Sequence, residues 1–309
     1  MRERASRPAL TWGQLRRGLR REAAWPILEA MAVHEPLRRN VVNVRLLAVH
    51  GEARSERTDS VAAEEPLEIR VQPPEGEAQQ VAVTMRTPGG DFELAVGFLV
   101  TEGLVVPGDI RRVAYCDDVP GEDQRYNVVS VGLGRPFDAA RLRRNFYATS
   151  SCGVCGKAAL DDIDVRCTPV SEGAQVSVEL LRSLPDRLRG AQKIFDRTGG
   201  LHAAGLFTPD GALVTAREDV GRHNAVDKVI GEMVLADRMP LADHVLQVSG
   251  RLSFEIVQKA AVAGIPVLSA VSAPSSLAID AARRFGITLV GFVRDDRFNV
   301  YTRPDRIHG

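Results

Sequence analysis

Apolar and polar residues alternate with a period of two in the first half of the chain. The stretches 67–71 and 81–85 each predict a half-buried β-strand, and residues 112–115 and 126–133 predict two more. Asp91 follows a Pro-Gly-Gly turn, so we expect it to be the N-cap of a helix. The inner side of this helix carries Phe92, Ala95, Phe98 and Leu99. These elements predict a small α+β unit.

The middle of the chain changes to helical spacing. One apolar stripe steps by three or four residues and predicts a single continuous helix through Leu181, Leu184, Leu188, Ala191 and Phe195. The turn sequence at 208–211 predicts a hairpin between strands at 201–207 and 212–215. A second helix is expected next, with Ala225, Val226, Val229, Ile230 and Met233 on its inner side. The polar segment 51–65 is expected to be a loop.

The last third alternates between strands and helices. Strands are expected at 244–248, 266–271 and 287–293, and helices at 254–262 and 277–285. This order predicts right-handed crossovers between neighbouring parallel strands, with helices covering the sheet. We therefore predict the α/β class for this part and an α+β arrangement overall.

Three regions are expected along the 309 residues. Residues 1–40 are expected to be an N-terminal extension, and residues 41–148 the smaller α+β domain. Residues 149–309 are expected to form the α/β domain, with a cysteine-containing loop at its start.

Charge and composition narrow the function classes. Lys plus Arg and Asp plus Glu both total 40, and this balance argues against a general nucleic-acid binder. No apolar run approaches the roughly 18 residues that a membrane span needs, and no secretory signal is recognisable. We therefore expect a cytoplasmic protein whose four cysteines, Cys116, Cys152, Cys155 and Cys167, are thiols.

The pair Cys152 and Cys155 lies in a loop rich in glycine and serine. The glycines permit open backbone conformations, and Lys157 with the upstream Arg143 and Arg144 favours a thiolate, so we predict a reactive thiol. Half of a zinc site, an incidental pair and a redox dithiol are the alternatives. No second cysteine pair at ligand spacing accompanies this one, and we expect no resident metal.

Two histidines fall in short segments next to glycine or charged residues. His223, with Asp219 and Asp227, is a candidate for an oriented acid–base pair. His202 follows Gly199-Gly200-Leu201 and is a second candidate. The structural alternative is that Asp219 caps the helix while His223 packs against it.

The carboxyl ends of the predicted parallel strands carry a further group of candidates. Arg251, Ser272 and Arg294 lie at these ends, and Ser253 and Ser275 or Ser276 are candidate helix N-caps. Ligands of open parallel sheets bind at this edge, and helix N-termini favour anions, so we predict a phosphate-binding cleft. Ordinary capping with solvated arginines is the alternative.

Several sequence blocks resemble the FdhD family of formate dehydrogenase accessory sulfurtransferases. The blocks are Ser151 to Lys157, Thr198 to Ala204, Glu218 to Lys228, Ser249 to Arg251, Ala270 to Pro274 and Gly291 to Arg294. They occur in the family's order, and the resemblance extends from about Asn43 to the C-terminus.

The resemblance implies a sulfur carrier. Such a protein receives persulfide sulfur from a cysteine desulfurase and delivers it to the bis-molybdopterin guanine dinucleotide form of the molybdenum cofactor, for formate dehydrogenase. It also implies a three-layer fold similar to cytidine deaminases, with a smaller second domain, and a homodimer. The persulfide cysteine maps onto Cys152.

The family's guanine-dinucleotide contact maps onto a short C-terminal segment, Phe292, Val293, Arg294, Asp295, Asp296 and Arg297. A guanine nucleotide is expected to fit the same cleft. Cys155 is assigned either relay of the sulfur or release of a spent disulfide. His202 and His223 are assigned either proton transfer or cofactor contacts. A dithiol oxidoreductase that uses Cys152 and Cys155, or a guanine-nucleotide-binding regulatory module, are the alternative functions.

Overall fold

The computed structural model describes residues 39–116, 126–138, 169–170 and 172–309. In these ranges a six-stranded sheet and a four-stranded sheet form the bulk of the chain, and two further sheets have two strands each. The mixed α/β class is therefore confirmed. The predicted domain division stays a prediction, since the boundary at 148–149 lies outside the described residues.

The described chain begins with a β-hairpin. Strands β1 (Val41–His50) and β2 (Ala53–Ala62) pair antiparallel, and Gly51 in the turn between them has a φ of 61°. The loop expected at 51–65 was therefore wrong. The hairpin exposes both of its faces for most of its length, so it lacks the alternation of apolar and polar residues that marks a half-buried strand.

The four-stranded sheet has the order β4-β3-β6-β5. Its strands are β3 (Glu65–Gln72), β4 (Gln79–Arg86), β5 (Ile110–Tyr115) and β6 (Val128–Leu133), which confirms the four predicted strands. Helix α1 (Asp91–Thr101) follows β4. Its N-cap is Gly90, with a φ of 68°, and not Asp91 as expected. Asp91 instead forms a fully buried ion pair with Arg86, at 2.7 Å.

The six-stranded sheet has the order β13-β12-β11-β10-β8-β9. Its strands are β8 (His202–Phe207), β9 (Leu213–Asp219), β10 (Val245–Val248), β11 (Val267–Ala270), β12 (Thr288–Arg294) and β13 (Arg297–Thr302). Strands β10, β11 and β12 are parallel, as predicted, and β8 runs antiparallel to β10. The predicted β8–β9 hairpin is confirmed, whereas β13 was not predicted. A short parallel pair, β7 (Val176–Ser177) and β14 (Ile307–His308), forms a separate two-stranded sheet.

The remaining described helices are α2 (Val178–Ala191), α3 (Lys193–Thr198), α4 (Arg222–Leu235), α5 (Phe254–Val262) and α6 (Ser276–Phe285). The single helix predicted through Phe195 is therefore wrong, because the chain breaks at Gln192 between α2 and α3. The Glu218 carboxylate explains the break: it accepts hydrogen bonds from the amides of Ile194 and Phe195, at 2.9 and 2.8 Å. These contacts satisfy the first donors of a new helix.

Helices cover both faces of the six-stranded sheet. One face packs against α2 through a cluster that includes Leu181, Leu184 and Val245. The opposite face packs against α4, α5 and α6, and the same apolar cluster continues to α1 and the four-stranded sheet. Helices α1 and α4 thus connect the six-stranded and four-stranded sheets through a common core. No helix among the described residues is long and apolar enough to span a membrane.

Helices α1 and α4 pack with their backbones in direct contact. A Cβ atom at Gly97 would overlap the carbonyl oxygen of Asp227, and one at Gly231 would overlap the carbonyl oxygen of Glu93. Only glycine on each helix permits this approach. Beside the contact, Lys259 of α5 forms buried ion pairs with Asp227 at 3.0 Å and Glu102 at 2.9 Å.

Replacing Gly97 with Ala should destabilise the fold by about 2 to 4 kcal/mol, since two helix backbones must separate to accept one methyl group. Chemical denaturation measures this free energy. Gly190→Ala is the control, because Gly190 is exposed in α2 and nothing lies within 4 Å of an added Cβ. The control should be neutral or slightly stabilising. Equal stabilities for the two variants would contradict the close packing.

Candidate functional site

The carboxyl ends of β10 and β11 are held together beyond the strands themselves. The Leu252 amide donates to the Ala273 carbonyl at 3.1 Å, and the Ser275 amide donates to the Leu252 carbonyl at 3.0 Å. Ser275 also caps α6, because its hydroxyl accepts from the Ala278 amide at 3.2 Å. The segments after two neighbouring parallel strands therefore run side by side at the predicted edge, where open parallel sheets have the crevice that binds ligands.

Strand β12 joins this edge through an unusual residue. The Phe292 amide donates to the Ser272 carbonyl at 3.2 Å, and the backbone of Phe292 is left-handed, with a φ of 56°. A side chain at the preceding Gly291 would approach the Ser272 carbonyl oxygen to 3.1 Å. Left-handed backbone at a bulky residue is strained, and the side chain of Phe292 is 38% exposed. An exposed aromatic ring held at an energetic cost is typical of a ligand contact.

A pocket of about 260 Å³ opens at this point. Its lining residues are Phe292, Arg294, Arg297 and Asn299. An aromatic face beside two guanidinium groups suits a ligand that combines a flat ring with phosphates. Three of the four residues were predicted, whereas Asn299 was missed. The alternation of Arg297 and Asn299 along β13 would have indicated it.

The other residues predicted for this edge do not line the pocket. Val293 is buried in the hydrophobic core, so its side chain faces away from solvent. Asp295 and Asp296 form the exposed turn between β12 and β13, and Asp295 has a φ of 47°. Arg251 is exposed, in the segment that follows β10.

The antiparallel direction of β8 brings its first residue, His202, to the same edge. The Ser249 amide donates to the Ala203 carbonyl at 2.9 Å, and the Ala203 amide donates to the Ser249 hydroxyl at 2.9 Å. A Cβ added to Gly250 would lie 3.4 Å from His202 Nδ1 and 3.6 Å from Arg222 Cβ. Burial, followed by the Arg222 charge, lowers the pKa of His202.

Arg222 was not predicted. It is the first residue of α4, and its Nε is buried without an acceptor in the part of the chain that the structure describes. A buried donor without a partner is rare in proteins, and a bound ion is one of the groups that satisfy such a donor. Its place beside His202 and Gly250 therefore favours an anionic ligand at this edge.

His223 contacts neither of the carboxylates predicted for it. Its Nε2 lies 3.2 Å from the Ser253 hydroxyl and 3.9 Å from Glu255. Burial, followed by the charges of Arg222 and Lys259, lowers the pKa of His223 to about 4, so the ring is neutral at neutral pH. The expected acid–base pair with Asp219 and Asp227 was wrong, because both carboxylates pair with buried lysines.

Asp219 fixes the turn that leads into α4. Its Oδ1 accepts from the Gly221 amide at 2.8 Å and from Asn224 Nδ2 at 2.9 Å. Its Oδ2 accepts from the Thr87 amide at 3.2 Å and pairs with Lys228 Nζ at 2.7 Å. The N-cap of α4 is Gly221, so Asp219 is not the cap itself. The turn that carries Arg222 and His223 is thus tied to the loop after β4.

The structure places two groups of candidates at one edge but in different positions along it. The pocket beside Phe292 lies at β12 and β13, while His202, Arg222 and His223 lie near β8 and α4, across β11 and β10. No group of three or more His, Cys, Asp or Glu side chains converges on a metal position within the described ranges.

One of the four cysteines is among the described residues. Cys152, Cys155 and Cys167 lie outside the described residues. Cys116 follows β5 as a half-buried thiol, 3.8 Å from Arg70 Nη1. This thiol belongs to the four-stranded sheet rather than to the crevice.

The fold and the site together define a class of protein. It is an α/β protein with a crevice at the ends of its parallel strands, and the crevice suits a ligand with a flat ring and phosphates. The family model described as the FdhD/NarQ family matches residues 62–308, and the chain belongs to this family. The resemblance seen in the sequence motifs is thereby confirmed.

Two relatives and one solved structure show how far the similarity extends. "Sulfur carrier protein FdhD" of Mycolicibacterium paratuberculosis is 55% identical over 260 residues, which are 81% of this chain and 93% of that protein. The protein of the same name from Streptomyces coelicolor is 52% identical over 277 residues, 87% of this chain and 95% of its own. A crystal structure of a protein assigned as a formate dehydrogenase accessory protein, from Desulfotalea psychrophila, superposes with a TM-score of 0.68 at 26% identity. It covers 87% of this chain and 100% of its own.

Replacing His223 with Gln should flatten the pH dependence of stability between pH 6.5 and about 4. The folded chain keeps the ring neutral in this window, whereas the unfolded chain, with the ordinary pKa of 6.5, binds a proton. Stability linked to His223 is therefore present above pH 6.5 and lost as the pH falls towards 4. Melting temperatures across the window measure the slope, and His50→Gln, at the exposed last position of β1, is the control. Identical slopes for wild type and His223→Gln would refute the buried neutral imidazole.

Proposed function

We propose that this protein is a sulfur carrier that serves formate dehydrogenase. The observation that carries the proposal is its 55% identity, over 81% of the chain, to a protein named as a sulfur carrier. The chemistry of the Cys152-Gly153-Val154-Cys155 loop also supports the proposal, because this loop is the one paired-thiol motif in the sequence. In this proposal the protein acts in the cytoplasm as a homodimer.

The first step of the proposal is thiol exchange at Cys152. The Cys152 thiolate attacks the outer sulfur of a persulfide on a cysteine desulfurase. The sulfur–sulfur bond of the donor breaks, the desulfurase cysteine departs as a thiolate, and Cys152 becomes a persulfide. No net oxidation occurs, so the step needs no other redox partner.

The second step releases the sulfur for uptake by bis-molybdopterin guanine dinucleotide, the proposed substrate. Attack of the Cys155 thiolate on the inner sulfur of the Cys152 persulfide releases hydrosulfide and leaves a Cys152–Cys155 disulfide. Two thiols thereby supply the two electrons that reduce the sulfur. Direct relay of the sulfur through Cys155 is the other route assigned to this pair.

The crevice supplies the binding part of the proposal. Phe292 offers an aromatic face to a guanine ring, and Arg294 and Arg297 offer charge to its phosphates. Arg222, His202, Ser272 and Arg251 extend the polar surface along the same edge, towards the remainder of a large dinucleotide. Holding the substrate in this way lowers the entropic cost of bringing sulfur and metal together.

The cytidine-deaminase-like layering expected from the resemblance belongs to the same proposal, and helices on both faces of the six-stranded sheet support it.

Incubation with a cysteine desulfurase and cysteine should add about 32 Da per sulfur atom to the intact protein, at Cys152. Mass spectrometry of the intact chain and of its peptides measures the addition. The Cys152→Ala variant should gain nothing, while Cys155→Ser should still load. A dithiol oxidoreductase would instead lose all redox turnover in Cys155→Ser without ever carrying sulfur. An unchanged mass of the wild type would favour a nucleotide-binding module with inert cysteines.

Guanosine diphosphate should bind to the pocket beside Phe292. Arg294→Ala and Arg297→Ala should each weaken binding by about 10- to 100-fold, because each removes a charged hydrogen-bond donor from the phosphates. Isothermal titration calorimetry measures the affinity. Arg283→Ala is the matched control, since this exposed arginine lies on α6 outside the pocket lining. Equal losses in all three variants would show that the nucleotide is bound by general charge.

A further inference from the structure

The β1–β2 hairpin is incomplete as a sheet. Within the described ranges, neither strand pairs with anything except the other, and every residue from Ala53 to Thr58 is exposed. A two-stranded sheet alone is marginally stable in water, and each free edge presents unpaired backbone groups. The hairpin therefore has the form of a structure that a further strand completes.

Exposed apolar side chains support the same conclusion. They are Val42, Val44, Leu47, Val49 and Val61. Five such residues on one hairpin are more than scattered surface residues account for, and such patches mark interaction surfaces. The hairpin meets the rest of the described chain near its open end, where Ala62 lies close to Gly200.

The residue pair just beyond the end of β2 shows which residues of β2 direct their backbone hydrogen-bonding groups towards β1. The Ala63 amide donates to the Asn40 carbonyl at 2.9 Å, so residues 40 and 63 form a hydrogen-bonded pair. Because such pairs alternate along an antiparallel ladder, Arg57 and Asp59 direct their backbone groups towards β1. Thr58 and the residues two positions away on either side direct theirs outward, where another strand can accept them.

The charges of β2 are self-complementary in one full-length register. Two copies related by a twofold axis pair antiparallel, and one residue then faces its own copy. Centring the axis on Arg54, Glu56, Arg57 or Asp59 places like charges opposite each other. Centring it on Thr58 places two hydroxyls opposite each other, with Arg57 facing Asp59 of the partner subunit on both sides.

A second register lacks like-charge pairs at its centre but is shorter. With the axis on Ser55, Arg54 faces Glu56 of the partner subunit, and the ladder ends where the hairpin turn precedes Ala53. The Thr58 register extends from Arg54 to Ala62 and uses almost the whole strand. Its central pair also has the outward backbone groups that an added strand requires.

We propose that β2 pairs antiparallel with β2 of a second copy of this chain, with Thr58 facing Thr58 of the partner subunit. The product is a continuous four-stranded sheet with the order β1-β2-β2-β1. The inference rests on the homodimer of the proposed function and assigns its interface to an edge that lies outside the crevice.

Charge reversal in the full-length protein tests the interface. Arg57→Asp and Asp59→Arg should each weaken dimerisation by about 10- to 100-fold, because each places like charges opposite each other at two symmetric positions. The double variant Arg57→Asp/Asp59→Arg exchanges the two charges, restores both attractive pairs and should recover the wild-type dissociation constant. Sedimentation equilibrium measures the constants, and far-ultraviolet circular dichroism verifies folding.

Arg54→Asp is the matched control, since the Thr58 register places this arginine opposite the uncharged Ala62 of the partner subunit. It should leave the dissociation constant unchanged. Weakening by Arg54→Asp but not by Arg57→Asp would assign the Ser55 register and overturn the proposal. A dimer indifferent to all variants would also overturn it, and a wild type that is monomeric at tens of micromolar would overturn the dimer as well. Sulfur loading on Cys152, measured by mass, tests the carrier role independently of these results.

Discussion

The direct backbone contact between α1 and α4 is the constraint on which the described architecture depends. Gly97 and Gly231 leave no room for a side chain between the helices, so the relative position of the two sheets is set by main-chain contact. Ion pairs on both sides reinforce it. Lys228 reaches the Thr87 carbonyl at 2.9 Å and Asp219 at 2.7 Å, and Lys259 reaches Asp227. Buried charges of this kind are tolerated only when they are paired.

The geometry of the candidate site depends on the contact between α1 and α4. Helix α4 begins with Arg222 and His223, and its position against α1 determines where these two side chains meet the edge of the six-stranded sheet. The parallel strands supply the other half through the segments after β10, β11 and β12. A ligand in the crevice would therefore touch residues whose positions are set by both sheets. Among the described residues, those that line the pocket beside Phe292 come from β12 and β13.

How much of the fold and of the candidate site could be predicted from the sequence depended on the environment of each segment. The alternation in β3 and β4 and the strand–helix order after residue 244 follow from one-sided or complete burial, which leaves a clear hydrophobic pattern. The β1–β2 hairpin has no such pattern because both faces meet solvent. Helix α2 ends early for a reason outside its own sequence, since Glu218 is 24 residues from the Ile194 amide that it accepts from. Three of the four residues that line the pocket lie in the segment predicted for the nucleotide contact. The partners of His223 could not be predicted, because they depend on tertiary packing that residue spacing alone does not contain.

The left-handed conformation of Phe292 has a consequence for how this edge tolerates change. A β-branched residue there would crowd its own backbone at a φ of 56°, whereas glycine would relax the strand and remove the ring. Few side chains both tolerate the left-handed backbone at this position and offer an aromatic surface. Sequence drift at this position is therefore confined to a narrow set of flat, unbranched side chains, and a directed-evolution library centred on the crevice would recover more folded variants by diversifying Asn299 than by diversifying Phe292.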